Sequence, residues 1–323
     1  MSRKILIGLV ATVLLATVSP AAAQQSVKMR RIGYLAAAKG PSPYFAAFKQ
    51  GLQELGYVEG QTVAIEFRAS EDRDQLVSLA TELVQSKVDA LVAQGPVSRV
   101  VRTIDTSVPI VFGFSGDPVE AGLVESLARP GRNMTGMSFL ALELAGKRLE
   151  LLKETAPKIS RVAIVANPTH PGDKSEFKET EAAAQALKIT LLYVSVTSAS
   201  EFDNAFQTII KSKSQAILTF PDAVTVANRQ KLAEFALQKR LPTIFGWREY
   251  VDAGGLMSYG PNLTDSWRRL AVFVDKVLKG TKPADLPVER AYKFEFVFNL
   301  KTAKEISLTI PPNVLVRADK VIR

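Results

Sequence analysis

The sequence predicts an α/β protein of two similar lobes, each a parallel sheet with helices on both faces. Short Val- and Ile-rich runs alternate with amphipathic stretches of helical period, the pattern of successive βαβ units, and this alternation begins afresh near residue 160. The chain has 323 residues, and the roughly 300 that follow its leader match one large domain or two of ordinary size. Right-handed crossovers between neighbouring strands then make each sheet parallel.

In the first lobe Ile32 to Leu35, Val63 to Phe67, Ala90 to Ala93 and Ile110 to Phe112 read as buried strands. Between the first two lies a helix that Ser42 caps and Pro43 starts, with Phe45, Phe48, Leu52 and Leu55 on one face and Gly56 at its end. Leu76, Leu79, Ala80, Leu83 and Val84 mark the stripe of the next helix. The second set of strands is Val162 to Ala166, Ile189 to Val194, Ala216 to Phe220 and Thr243 to Phe245. A strong helix with Leu270, Phe273, Val274, Val277 and Leu278 on one side follows Tyr259, and a last strand is expected over Phe294 to Phe298. This late material sends the chain back to the first lobe after the second is built, and lobes tied by several crossings hinge rather than drift. The expected division is residues 24–138 plus 262–285 for the N-terminal lobe and 139–261 plus 286–323 for the C-terminal lobe.

Residues 1–23 have the layout of a secretory signal peptide: Arg3 and Lys4, then an uncharged apolar run from Ile5 to Val18, then Ala21-Ala22-Ala23. That run falls short of the about 20 residues of a membrane span. Cleavage near Ala23 is expected to release a soluble, periplasmic protein. With no cysteine in the chain, packing alone holds the fold, and thiol chemistry is excluded. Losing Arg3 and Lys4 takes Lys plus Arg from 41 to 39 against 32 acids, a net charge of +7. Those charges alternate in sign along helices, as in Lys147 to Glu154 and Lys174 to Glu181, rather than forming the stripe that nucleic acid requires.

Neither G-x-G-x-x-G nor G-x-x-x-x-G-K-[ST] occurs, so no nucleotide phosphate has its usual cradle and no cofactor is expected. A single histidine, His170, rules out a multi-histidine metal site. In Gly113-Phe114-Ser115-Gly116-Asp117 the last residue stands where a nucleophile elbow has its second glycine. A triad of Ser115, His170 and a carboxylate is the enzymatic alternative, against which His170 between Thr169 and Pro171 reads as an exposed loop residue.

Open α/β sheets bind ligands beyond the carboxyl ends of their strands. The loops there carry Ser42, Gly95, Ser98 and Asp117 in the first lobe and Asp222, Trp247 and Glu249 in the second. Phe114, Phe220, Trp247 and Tyr259 at strand ends are candidates to stack on a ring, and Asp222 and Glu249 are candidates for an ammonium group. Ser42 and Ser98 at helix starts are candidates for a carboxylate. The plainer expectation is that the phenylalanines are core, the serines are caps and Asp117 is a turn residue. The mix suits a zwitterion with a flat or apolar side chain.

Gly56-Tyr57-Val58-Glu59-Gly60, Leu127-Ala128-Arg129-Pro130-Gly131 with Asn133, Thr135 and Gly136, Gly254 to Gly260, Lys282 to Pro287, and the closing stretch from Asn299 through Pro311-Pro312 to Asp319 resemble ABC-transporter substrate-binding proteins, whose relatives bind tryptophan and related aromatic amino acids. The resemblance runs over nearly the whole mature chain. It implies a type I periplasmic-binding fold: two Rossmann-like lobes with parallel sheets, joined by a three-stranded hinge, with the ligand in the cleft. It also implies an ABC permease and its ATPase as partners, contact with the membrane only through that permease, and a monomer. Arg132 departs from the second glycine usual there, which bears on the positive-φ preference of its turn. A ligand-sensing module for a membrane receptor would use the same fold and remains the alternative beside the hydrolase.

Overall fold

The computed structural model describes residues 29–323, so the predicted leader lies outside the described residues. From the start the chain alternates β1 (Arg30–Ala36), α1 (Pro43–Glu54), β2 (Val63–Ala69), α2 (Arg73–Gln85), β3 (Ala90–Gln94), α3 (Val97–Val101), β4 (Ile110–Phe114) and β5 (Met134–Ser138). It continues with α4 (Ala145–Thr155), β6 (Arg161–Ala166), α5 (Asp173–Leu187), β7 (Thr190–Ser195), α6 (Phe202–Lys211), β8 (Ala216–Thr219), α7 (Ala223–Ala227), α8 (Arg229–Gln238), β9 (Thr243–Phe245), α9 (Arg248–Asp252) and β10 (Met257–Pro261). Helix α10 (Leu263–Leu278) and strands β11 (Glu289–Arg290) and β12 (Phe294–Asn299) come next, then α11 (Leu300–Glu305), α12 (Pro312–Leu315) and β13 (Lys320–Ile322).

These strands form two sheets, six-stranded in the order β11-β5-β4-β3-β1-β2 and seven-stranded in the order β13-β12-β10-β9-β8-β6-β7. All pairings are parallel except β10 with β12, which is antiparallel. The departure has a topological cause, since β12 enters its sheet from a crossing out of the other one rather than after a helix laid on its own. Three segments cross: β5 into α4, β10 into α10, and β11 into β12. Residues 289–290 pair with Met137 and Ser138 of the first sheet, so the last crossing falls after Ala291 and not at residue 286.

Local signals set the helix ends. Ser42 Oγ accepts from the Phe45 N–H at 3.3 Å and Pro43 occupies the first turn, while Asn262 caps α10 by accepting from the Asp265 N–H at 2.9 Å. Helix α10 packs along α1, and Gly51 makes this possible: a Cβ there would stand 2.2 Å from the Arg268 carbonyl oxygen. In the turn before β5, Gly131 is the left-handed residue at φ 70°, and Arg132 is not in a positive-φ conformation. Its side chain therefore leaves the turn unstrained.

Each sheet is covered on its outer side by its own apolar cluster. Phe112, Phe114, Leu83 and Val100 belong to one, and Ile164, Leu218, Phe220 and Phe298 to the other. A third cluster includes Tyr34 and Phe48, the crossing residues Met137 and Phe139, Trp267 of α10, and Phe245, Trp247 and Tyr250 of the second sheet. Buried apolar surface thus extends from one sheet to the other around the crossings.

Candidate functional site

A cavity of about 990 Å³ lies between the sheets, walled by loops at the carboxyl ends of strands from both. From the first side come Ser42 and Tyr44 at the start of α1, Gln94 to Pro96 after β3, and Gly113 and Ser115 at the end of β4. From the second come Val226 of α7, Arg229, and Trp247 to Glu249 where β9 runs into α9. Phe139 and Trp267, which belong to the crossings, complete the wall.

Aromatic packing makes part of this wall rigid. Trp267 stacks on Tyr44 with ring centroids 6.1 Å apart and planes at 22°, and meets the edge of Phe139 at 5.7 Å. The indole lies so close to β4 that a Cβ on Gly113 would be 2.7 Å from it. Polar groups are placed by neighbours outside the cavity. The Tyr34 hydroxyl donates to Gln94 Oε1 at 2.8 Å, which leaves the Gln94 amide hydrogens as donors.

Across the cavity the Tyr44 hydroxyl donates to Glu249 Oε1, joining α1 to α9. Glu249 Oε2 and Trp247 Nε1 are buried without a hydrogen-bond partner. Burial pushes the Glu249 carboxyl above its ordinary range, with the Tyr44 hydrogen bond opposing. It pushes the Tyr44 phenol up as well, and there Glu249 adds to the effect. At another edge the loop after β4 meets the loop after β6: the Asp117 N–H donates to the Pro171 carbonyl at 3.1 Å, and the Gly172 N–H to Glu120 Oε2 at 2.8 Å. The two halves therefore touch at two separate places.

Of the residues singled out from sequence, Ser42, Gly95, Trp247 and Glu249 line the cavity. The others have different surroundings. Ser98 is fully buried, its hydroxyl donating to the Ala93 carbonyl at 3.4 Å. Phe114 and Phe220 sit in the outer clusters, because they share a strand face with Phe112 and with Leu218 respectively. Asp117 Oδ1 accepts from the Val119 and Glu120 N–H groups, closing a turn. Asp222 caps α7 in a capping box with Thr225, and burial raises its carboxyl to about 6 against those same hydrogen bonds. Tyr259 packs edge-on against Phe296, and its carbonyl accepts from Arg148 Nε at 2.9 Å.

Tyr44, Gln94, Ser115, Phe139 and Trp267 are cavity residues that the sequence did not single out for binding. Trp267 carried a signal, since a tryptophan one turn before the stripe of α10 sits where the chain has just crossed between lobes. The Ser115–His170 triad does not form. The His170 ring hydrogen-bonds the Ser115 backbone, and its Nε2 has no partner. Nor is the histidine a surface residue: it packs near Phe114, centroids 6.3 Å apart, and burial lowers its pKa to about 4.

Comparison with known proteins agrees with this geometry. A tyrosine-binding protein of Clostridioides difficile (strain R20291) is 26% identical over 288 residues, 88% of this chain and 82% of that protein. The crystal structure of an ABC domain in complex with L-Trp from Streptococcus pneumonia shares 28% identity at a TM-score of 0.83, covering 91% of this chain and 100% of that one. A conserved domain protein from Vibrio cholerae O1 biovar eltor superposes at a TM-score of 0.82 with 26% identity and the same coverage, 91% and 100%. The architecture is that of the type I periplasmic-binding fold. The family described as ABC transporter substrate binding protein matches residues 38–322, and the chain belongs to that family.

Proposed function

We propose that this protein, exported to the periplasm with its leader removed, captures an aromatic amino acid between its lobes and presents it to an ABC permease. Among the described residues the lobes are 29–138 with 262–291, and 139–261 with 292–323. The observation that carries the reading is the cavity walled from both sheets, with Tyr44, Phe139, Trp247 and Trp267 as apolar surface. Donors are present for a carboxylate in the Gln94 amide, the Ser115 hydroxyl and the Arg229 guanidinium, which lie at the same cavity. The tyrosine-binding and L-Trp-bound relatives support the choice of guest. Nothing in this cycle makes or breaks a bond; binding shuts the lobes, and the shut form is what the permease reads.

Titration calorimetry of the mature protein against the twenty amino acids tests the reading. Tyrosine, tryptophan or phenylalanine is expected to bind with Kd on the order of micromolar or tighter. Heat from none of the three would overturn the aromatic guest. Delivery is tested by uptake into vesicles holding the permease and ATPase, which should depend on added binding protein.

A further inference from the structure

The chain has a single imidazole, and it bridges the two halves outside the cavity wall. The backbone of His170 is tied to its own lobe: its N–H donates to the Asn167 carbonyl at 3.0 Å, and its carbonyl accepts from the Asp173 N–H at 3.1 Å. Its ring is held by the other lobe, beside Phe114 at the end of β4 and hydrogen-bonded through one nitrogen to the Ser115 backbone. The second nitrogen, Nε2, is buried without a partner. The loops that bring ring and pocket together fit closely. A Cβ on Gly116 would stand 2.6 Å from the Pro171 carbonyl, and one on Gly172 would stand 2.8 Å from Leu140 of the first crossing.

The charged groups around the ring offer an added proton no counterion. Arg99 of α3 has the same sign as an imidazolium and acts on the ring directly. Asp117 Oδ1 accepts from the Val119 and Glu120 N–H groups, and Glu120 accepts from the Gly172 N–H. On the ring's own side Asp173 accepts from the Tyr193 hydroxyl. A proton on Nε2 would therefore make a charged, buried N–H that only water can match, and parting of the loops admits that water.

We propose that His170 is a proton-operated release for closure: the neutral ring fits between the lobes, the imidazolium holds them apart, and the protein lets go of its guest in acid. The inference rests on capture by closing lobes and adds a control that the guest does not touch. With the ring's pKa lowered by burial from 6.5 to about 4, affinity is full above about pH 6.5 and is lost as pH falls toward 4. The cost falls on the shut form, whether the alternative is the open protein or the unfolded chain.

Burial also raises the Glu249 and Glu295 carboxyls at the cavity, and these respond to acid as well, so the effect is read as the difference between wild type and His170→Asn. Calorimetry with L-tryptophan at pH 7.5 and pH 5 should show wild type weakening ~5- to 30-fold more than the variant. In proton NMR the lone imidazole of wild type should titrate at lower pH with the amino acid than without it. Solution scattering of the guest-free protein needs no ligand: the radius of gyration should rise from pH 7.5 to pH 5 in wild type and stay constant in His170→Asn. Equal weakening of the two proteins, one imidazole midpoint with and without guest, or a wild-type radius that acid leaves unchanged would overturn the proposal. If no amino acid binds at pH 7.5, the guest reading falls by itself and scattering decides the role of His170: a rise confined to wild type upholds it, and equal radii in both proteins at both pH values overturn it.

Discussion

Two buried groups give the protein opposite responses to acid. Arg148 and Glu176 form an ion pair of 3.1 Å with both side chains 1% exposed. Burial pushes the Glu176 carboxyl up to about 7 although Arg148 opposes it. Raised above its unfolded value, this group adds stability that is full below about pH 4.5 and lost as pH rises through 7. His170 is the reverse. Burial, with Arg99 adding a smaller effect, lowers its pKa to about 4, so its contribution is present above about pH 6.5 and lost as pH falls toward 4. Between pH 8 and 5 the two act in opposite directions. Denaturant unfolding across that range should therefore show Glu176→Gln losing stability toward acid relative to wild type and His170→Asn gaining it. Parallel curves for all three proteins would refute both assignments. At this scale four of the ten residues singled out from the sequence reach the cavity wall. Ser42 and Trp247 stand at a helix start and a strand end, where loops face the cleft. Phe114 and Phe220 also stand at strand ends, but the alternation of side chains along a strand commits them to the faces of Phe112 and Leu218. Partnerships across the cavity, such as Tyr44 with Glu249, leave no local signal because 205 positions separate them.

Elements were easier to foresee than contacts. The Val- and Ile-rich runs became β1 to β4 and β6 to β9, and the capping signals at Ser42 and Gly56 bounded α1. What escaped was short or set by tertiary context. β5 contains Gly136, β11 is two residues long, and the antiparallel entry of β12 depends on the crossing that precedes it. Close approaches between elements identify positions where one methyl group matters. Gly51→Ala, forced against the Arg268 carbonyl, should separate α1 from α10 and lower stability by about 2 kcal/mol in thermal or denaturant unfolding. Gly116→Ala acts between the halves, because its Cβ would meet the Pro171 carbonyl at 2.6 Å. The same Cβ would stand 2.9 Å from the Phe114 ring of its own lobe, so that variant is expected to lose about 1 kcal/mol of stability and to bind its guest ~10-fold more weakly as it opposes the shut arrangement. Unaltered affinity in Gly116→Ala would mean that the contact between the loops after β4 and β6 is not part of closure.

For the whole molecule, two sheets are joined by three crossings, an arrangement that lets lobes hinge. The crossings lie together with Phe139 and Trp267, while the Tyr44–Glu249 and Asp117–Pro171 contacts hold the halves elsewhere. A guest that fills the cavity adds contacts to both lobes only when they are together, so its differential affinity drives the equilibrium. The duplicated βαβ pattern predicted this arrangement. Composition had no means of predicting where the cavity lies, because its walls come from residues 37 through 295. The most direct test is a crystal structure of the mature protein grown with L-tryptophan or L-tyrosine. The account predicts one amino acid held between the sheets, its ring against Tyr44, Trp247 or Trp267. A guest bound elsewhere on the surface, or an empty cavity at saturating amino acid, would contradict it.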